Sequence, residues 1–502
     1  MTGKTRNAPP RAVAMLESLR GLGYTTAAAL ADIIDNSISA GATEVFIHFA
    51  WAAKDSRVSV LDNGRGMDDP ELESALRLGD KNPLEARSAN DLGRFGMGLK
   101  TASFSQCQRL TVATAKNGVV SCLRWDLAAL AANPDSDWLL YEGPAAGSEP
   151  FIADIDGAKS GTLVLWELLD RIVTKGFTSD DFNDLIDRVE SHLAMVFHRL
   201  LQGPRARLVL TLNGKRIEPW DPFMTGHPAK PWSSPVARTE TGSGAVEVQC
   251  HVLPHRDKLS AEEFDSNGGP DGWTAQQGFY VYRNERLLVA GGWLGLGSPR
   301  AWNREEAHRL ARIRLDIPNT ADAEWKIDVK KSTARPPVSL KSWLTRLADD
   351  TRDRARKVFA SRGSPMPAAG NIPIEQAWRL ERPKSGIRYR IEEKHPSVSA
   401  VLDNSGALLP MVKAMLRVIE ETVPVQRIWL DTAEHKETPR TSFAGEAPEA
   451  VVSVLRTLFA DMIGRKGMSI ESAKRSLLLT EPFQNFPELV NALEAATPSQ
   501  NP

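Results

Sequence analysis

Asp32-Ile33-Ile34-Asp35-Asn36 sets a carboxylate and a side-chain amide four residues apart. On a helix, Asp32 and Asn36 share a face. The amide oxygen could bind a hard cation such as Mg2+, which takes oxygen ligands and keeps several waters. The carboxylate could orient and deprotonate a water. An N-cap or a solvated polar face would use the same residues. Asp62-Asn63-Gly64-Arg65-Gly66-Met67 follows an apparent strand over 58–61. Asp62 would stand at the strand end and accept a hydrogen bond from an amino group, and the glycines would let a ligand approach the backbone. An Asx turn is the plainer alternative. Gly93-Arg94-Phe95-Gly96-Met97-Gly98-Leu99-Lys100-Thr101 opens an apparent helix running through Ser105. Backbone N–H groups at a helix start attract anions, and Lys100 adds a positive charge. The spacing is not that of a P-loop, and the loop does not come straight off a strand as a Rossmann fingerprint does.

The elements that must position these groups are legible in the hydrophobic pattern. Helices are predicted over 11–20 and 25–39, the second ending at Gly41. Strands are predicted over 45–49, 58–61 and 162–167, with a hairpin of 110–115 and 119–125 around Asn117-Gly118. Leu185, Val189, Leu193, Val196 and Leu200 define one face of a long helix over 181–201. Together these imply an α+β fold, a two-layer α/β sandwich, over residues 1–202. Gly203-Pro204 marks a boundary. A second α+β domain is expected over 203–362, with strands at 208–212, 246–252, 279–282, 287–289 and 313–316, a helix around 304–312, a strand-like 325–329 and an exit helix over 340–359. A Gly/Pro-rich linker at 363–373 leads to a mainly helical region within 363–502, with helices at 397–422, 447–463, 468–479 and 486–496.

The three chemical motifs, in this order and at about thirty-residue intervals, resemble the GHKL ATPases, the superfamily of gyrase, heat-shock-90 chaperones, histidine kinases and MutL. Gly161-Thr162 at a strand start fits a fourth family element, and the wording SLRGLGYTTAAALADIIDNSISAGA, DNGRGM and GRFGMGLKTAS is most similar to bacterial MORC/MutL-type chains. The resemblance covers residues 10–200 and implies a Bergerat ATP-binding fold. It implies that Asn36 ligates Mg2+, that Asp62 binds the adenine amino group with help from Thr162, and that Gly66 and Met67 line the adenine pocket. The run Gly93, Arg94, Phe95, Gly96, Met97, Gly98, Leu99, Lys100 and Thr101 would wrap the phosphates, and 79–92 would form a lid over ATP. The family places a water-activating Glu four residues before the Asn; here that place holds Asp32, one methylene shorter, which implies slow turnover or a mainly ATP-switched clamp. Asp35 is the fallback base.

In gyrase- and MutL-like members a transducer domain sends a lysine back to the γ-phosphate. Residues 205–337 have the right size and place, QGFYVYRNERLL at 277–288 resembles that region, and WKIDVKKSTARPP offers Lys331, preferred, or Lys330. The resemblance implies an ATP-dependent homodimer that closes as a clamp, acting on DNA with protein effectors in a phage-defence or DNA-repair setting. A chaperone-like ATPase acting on protein clients is the alternative.

Composition bounds these readings. Across 502 residues, 62 Lys+Arg balance 63 Asp+Glu to a net charge of −1, which excludes a globally basic nucleic-acid coat and an acidic tail protein. A local basic groove remains open, with Lys326, Lys330, Lys331, Arg335, Lys341 and Arg346 close together. Cys107, Cys122 and Cys250 form neither a disulfide framework nor a zinc spacing, and a reducing, cytoplasmic setting with no membrane association is expected. His251 and His255 flank Pro254 and are expected to be structural, as are His192 and His198. Too few residues precede Asp32 for the phosphoacceptor helices of a histidine kinase, and no Toprim or MutL-endonuclease metal motif is visible.

Overall fold

A computed structural model of the chain describes residues 10–80, 98–132, 138–203, 206–322, 324–328, 331, 333–360, 375–381, 388–428 and 449–494. The chain divides into two compact units, 1–360 and 361–502.

The first unit is α+β. Its larger sheet contains β1 (Glu44–Ala50), β2 (Arg57–Asp62), β3 (Arg109–Lys116), β4 (Val119–Asp126), β5 (Tyr141–Glu142), β6 (Ser160–Glu167), β7 (Val209–Leu212) and β8 (Lys215–Arg216). Their order is β5-β4-β3-β6-β2-β1-β7-β8. Alternation drives the sheet: Val45, Ile47 and Phe49 of β1, and Val58 and Val60 of β2, point inward. Asn117 and Gly118 both take positive φ, 54° and 80°, which suits the two-residue turn between β3 and β4.

On the buried face lie α1 (Ala12–Arg20), α2 (Thr26–Ser39), α3 (Asp69–Leu76), α4 (Gly98–Phe104), α5 (Leu127–Ala132) and α6 (Ser179–Val196). Thr25 caps α2 through its side chain, and Leu30, Ile33 and Ile34 bury themselves against the sheet. The expected 181–201 helix breaks at Phe197, so that α7 (His198–Leu201) is a separate turn.

β7 and β8 follow the Gly203-Pro204 boundary in sequence, yet they extend the first sheet, β7 lying parallel to β1. The second sheet is built from β9 (Trp232–Ser233), β10 (Ala237–Thr241), β11 (Gly244–Val252), β12 (Gly278–Arg283), β13 (Arg286–Ala290) and β14 (Ala311–Asp316), accompanied by α8 (Ala261–Asn267), α9 (Gly272–Ala275) and the long α10 (Val338–Ala360). Its core holds Val248, Phe279, Ile313, Trp325 and Leu344. The helix expected at 304–312 is instead a single 3-10 turn, Glu306–His308, running into β14. Ala311, Ile313 and Leu315 recur at period two and are fully buried, which overrides the local helix-like charges. Residues 324–326 form a turn rather than the expected strand, with Trp325 buried in the core.

The second unit carries an unanticipated hairpin, β15 (Trp378–Glu381) with β16 (Arg388–Ile391), and α11 (Pro396–Asn404), α12 (Leu409–Glu421), α13 (Glu449–Gly464), α14 (Ile470–Leu478) and α15 (Pro487–Asn491). The helix expected at 397–422 is split by a 3-10 turn at Gly406–Leu408. Residues 363–373 lie outside the described residues. No described helix is long and apolar enough to cross a membrane.

Candidate functional site

The site is assembled on α2 and the ends of the sheet strands beneath it. Asp62 completes the inward-facing series Val58, Val60, Asp62 of β2, so strand alternation alone turns its carboxylate toward α2. There it meets Ser37, whose Oγ donates to Oδ2 at 2.7 Å, while Gly64 N donates to Oδ1 at 2.8 Å. Burial raises Asp62 above the ordinary carboxylate pKa, against the lowering effect of the hydrogen bonds from Ser37, Gly64 and Thr162. A buried carboxylate with two placed donors is a rigid acceptor for an amino group.

Thr162 pairs with Asp62 across β6 and β2, and its Oγ1 lies 3.3 Å from Thr114 Oγ1. Thr114 is the hub of this corner: its hydroxyl donates to Gly161 O at 2.9 Å and accepts from Met67 N at 2.9 Å. Met67 is thereby held at the strand ends. Gly66 precedes it at φ 68°, and a Cβ there would stand 1.8 Å from Ala115 O. Only glycine permits that approach.

Asp32 and Asp35 are 3 % and 1 % exposed, on consecutive turns of α2. Burying two carboxylates requires counter-charge. It comes from the second part of the unit: Lys331 Nζ lies 3.0 Å from Asp32 Oδ1 and 2.5 Å from Asp35 Oδ2, and Arg286 Nε lies 3.2 and 3.1 Å from the two oxygens of Asp35. Arg286 Nη2 is also 3.7 Å from Asp32 Oδ1. Burial alone would raise Asp35, but the charges of Arg286 and Lys331 outweigh it and hold the carboxyl below its ordinary value. Tyr24 Oη donates to Asp32 Oδ2 at 3.0 Å, and burial raises the Tyr24 phenol well above its usual pKa. Lys331 adopts φ 53°, an uncommon conformation for a lysine and one that clusters at functional positions.

Asn36 is exposed at the rim of α2, and its Nδ2 donates to Asp32 O at 3.0 Å. That fixes the amide and leaves Oδ1 as the atom for a cation. One neutral side-chain oxygen suits Mg2+, which completes its shell with water and phosphate oxygens. Among the described residues no cluster of His, Cys, Asp or Glu forms a metal cage.

Gly98 begins α4 next to Asp32, whose Oδ2 would be 3.8 Å from a Cβ at Gly98. The start of α4, with Leu99 and Thr101, therefore adjoins the acidic helix. Lys100 does not offer a free charge: its Nζ donates to Ala75 O and Arg77 O, both at 2.8 Å, at the carboxyl end of α3. Gly93, Arg94, Phe95, Gly96, Met97 and Lys330 lie outside the described residues, as does most of the 79–92 segment. Within the basic group near 326–346, Lys331 turns inward to α2. His251 is buried beside Ser233 and Lys230, each 3.0 Å from its Nδ1, and burial, with Lys230 and Arg314 nearby, pushes its pKa down to about 3. Trp273, Trp293 and Trp325 are core residues.

A family of known proteins matches the chain over this same region. Residues 24–162 match the family of histidine kinase-, DNA gyrase B-, and HSP90-like ATPases. That segment is similar to GHKL-type ATP-binding domains. The chain resembles ATPase morc-1 of Caenorhabditis elegans (30% identical over 95 residues, 19% of this chain and 11% of the relative). It also resembles ATPase MORC2B of Mus musculus (33% over 99 residues, 19% and 10%) and ATPase MORC2 of Homo sapiens (31% over 99 residues, 19% and 9%). The match thus spans about a tenth of the length of these relatives.

Ser37, Thr114, Tyr24 and Arg286 join the site without any marking in the motif spacing. Ser37 could have been found by its place one residue after Asn36; the others are brought in by tertiary packing alone.

Gly66→Ala should abolish binding of a fluorescent ATP analogue and lower the melting temperature. Gly118→Ala, also at positive φ but with open space for a Cβ, should cost only about 1 kcal/mol and keep binding. For Asp35, whose folded pKa is depressed, the stabilisation is present above the unfolded value of about 3.9 and is lost as pH falls toward the lower folded value. Asp35→Asn should lose about 3 kcal/mol at pH 7 in denaturant unfolding, with the gap from wild type narrowing as pH falls below about 4.

Proposed function

We propose that this chain is a slowly hydrolysing, Mg2+-dependent ATPase whose second α+β part senses the γ-phosphate. The observation that supports it most directly is Lys331: it reaches from 299 positions away to within 3.0 Å of Asp32, the residue placed to activate water. In this reading Asp62, with Thr162, holds the adenine amino group and Gly66 and Met67 line the base. Asn36 would hold Mg2+, which would supply positive charge against the phosphates. In the same reading the run from Gly93 to Thr101 would wrap the phosphates, with main-chain N–H groups of Gly98, Leu99, Lys100 and Thr101 at the start of α4 contributing.

Asp32 carries the chemical step. With Lys331 on Oδ1 and Tyr24 on Oδ2, both oxygens are engaged before ATP arrives. Transfer of Lys331 to the γ-phosphate would release Oδ1 to accept a proton from the attacking water, which adds to phosphorus as ADP leaves. Asp35 is better suited to anchoring cations than to serving as the base, because it is 1 % exposed and its oxygens face Arg286 and Lys331. Lys331, rather than Lys330, is assigned to the γ-phosphate on its position beside Asp32.

At the level of the whole protein, ATP binding would pair two copies as a clamp on DNA that engages protein effectors in the cytoplasm, in a phage-defence or DNA-repair setting. The likeness to MORC ATPases supports that assignment over protein-client chaperoning.

Asp32→Asn should retain ATP affinity within about threefold and lower turnover by ~100-fold or more. Lys331→Ala should lower kcat with the fold intact; unchanged turnover would remove the γ-phosphate role. Asn36→Ala should abolish the Mg2+-dependent part of ATP binding. With an ATP analogue present, DNA affinity should fall linearly in log–log plots against salt, with a slope of about −0.9 per phosphate contacted. No DNA binding at low salt, with a denatured protein bound instead, would favour the chaperone-like reading.

A further inference from the structure

Charge balance within the buried cluster assigns different duties to its two cations. Asp32 and Asp35 contribute two negative charges, and Arg286 and Lys331 two positive ones; the four side chains are 3 %, 1 %, 5 % and 11 % exposed. The cations differ in how they are held. Arg286 opens β13 immediately after a two-residue turn, since Arg283 and Arg286 pair across β12 and β13. Both turn residues are left-handed, Asn284 at φ 48° and Glu285 at φ 67°. The geometry matches the right-handed twist of the hairpin, but glutamate is a poor residue for it. The guanidinium is fixed further by Nη1, which donates to Leu287 O at 2.8 Å, while Nε spans both oxygens of Asp35. Arginine stays charged under all ordinary conditions. Lys331, in contrast, ends a flexible four-carbon stem and divides its ammonium between Asp32 and Asp35.

We propose that Arg286 is a positioning residue: its fixed pairing with Asp35 neutralises that carboxylate and so leaves Lys331 free to move to the γ-phosphate of ATP. The inference rests on the reading of Lys331 given above. Without Arg286, Asp35 has only Lys331 among these partners to balance a charge buried in the protein. The lysine is then drawn to Asp35 and withheld from the nucleotide. The defect lies in competition for one ammonium, so it is reversible by removing the competitor.

That reversibility supplies the test. Affinities for ADP and for a nonhydrolysable ATP analogue are measured by titration, and kcat and KM by phosphate release, in the full chain. Wild type, Lys331→Ala, Arg286→Gln, Arg286→Lys, Asp35→Asn and the double variant Arg286→Gln/Asp35→Asn are compared. Arg286→Gln is expected to lower kcat by about tenfold or more with KM changed less than about threefold, and to erase the preference for the ATP analogue over ADP. The double variant is expected to recover most of both, because the neutral amide that replaces the Asp35 carboxylate no longer competes for Lys331. A residue that served only to stabilise the fold would also be relieved in the double variant, since no unpaired buried charge remains, but its single variant would lower the melting temperature without erasing the preference of the folded protein for the ATP analogue. Arg286→Lys, which keeps a charge at the site, should fall between wild type and Arg286→Gln, and it carries the comparison if Arg286→Gln does not fold.

The outcomes separate the two levels of inference. If Lys331→Ala keeps the full preference for the ATP analogue, the γ-phosphate reading of Lys331 fails and the role of Arg286 with it. If Lys331→Ala loses that preference while Arg286→Gln and Arg286→Lys keep it, or if the double variant fails to recover, only the role of Arg286 is overturned. The nucleotide preference is read without turnover, so it decides the question even for a chain that hydrolyses ATP very slowly.

Discussion

Two ionised carboxylates on consecutive turns of a buried helix cannot persist on hydrogen bonds alone. Asp32 and Asp35 are buried beneath a surface that the first sheet and its helices do not provide. Their counter-charges arrive from β13 and from the loop at Lys331, about 250 and 300 positions later in the chain. This requirement ties the two sheets of the first unit together. Other polar contacts cross the same joint: His198 Nε2 lies 2.8 Å from Tyr282 Oη, and Arg199 pairs with Asp316 of β14. Of these contacts, the pairs on Asp32 and Asp35 are the ones that an incoming phosphate would disturb in the proposed function.

Much of the nucleotide-binding half is legible in residue order. Strand alternation from Val58 through Val60 delivers Asp62 to α2, and the i,i+4 relation of Asp32 and Asn36 survives folding unchanged. Local rules suffice for α2 and β2, whose periodicities are set by backbone geometry. The same rules account for the β3–β4 hairpin at Asn117-Gly118.

The less legible features are those decided by partners distant in sequence. Arg286 sits in an ordinary strand pattern, and nothing nearby in the chain announces that a carboxylate 251 positions earlier will meet it. Lys100 illustrates the converse. Its place after a glycine run suggests a phosphate ligand, but the open carbonyls at the end of α3 claim the ammonium first. At 304–312, helix-like charge spacing yields to β14, because a strand completing the second sheet buries Ile313 and Leu315 fully. Lys331 is marked by its sequence neighbourhood, but its left-handed backbone and inward direction emerge only in the folded chain.

The shorter side chain at position 32 gains a physical meaning from its neighbours. A glutamate in its place would extend about one bond further toward the start of α4, where Gly98 approaches. Asp32 instead remains within reach of Tyr24 on one oxygen and Lys331 on the other. For such a carboxylate to accept a proton, a cation must first be drawn away, and in the proposed function the only incoming charge able to do so is the γ-phosphate itself. Release of Asp32 and nucleotide occupancy would then be linked by the same ammonium group. A longer acid would be a better positioned base, and one less dependent on that exchange. In the proposed function the aspartate would trade turnover for a tighter connection between bound ATP and the state of the second sheet, which is the property a nucleotide-held switch requires.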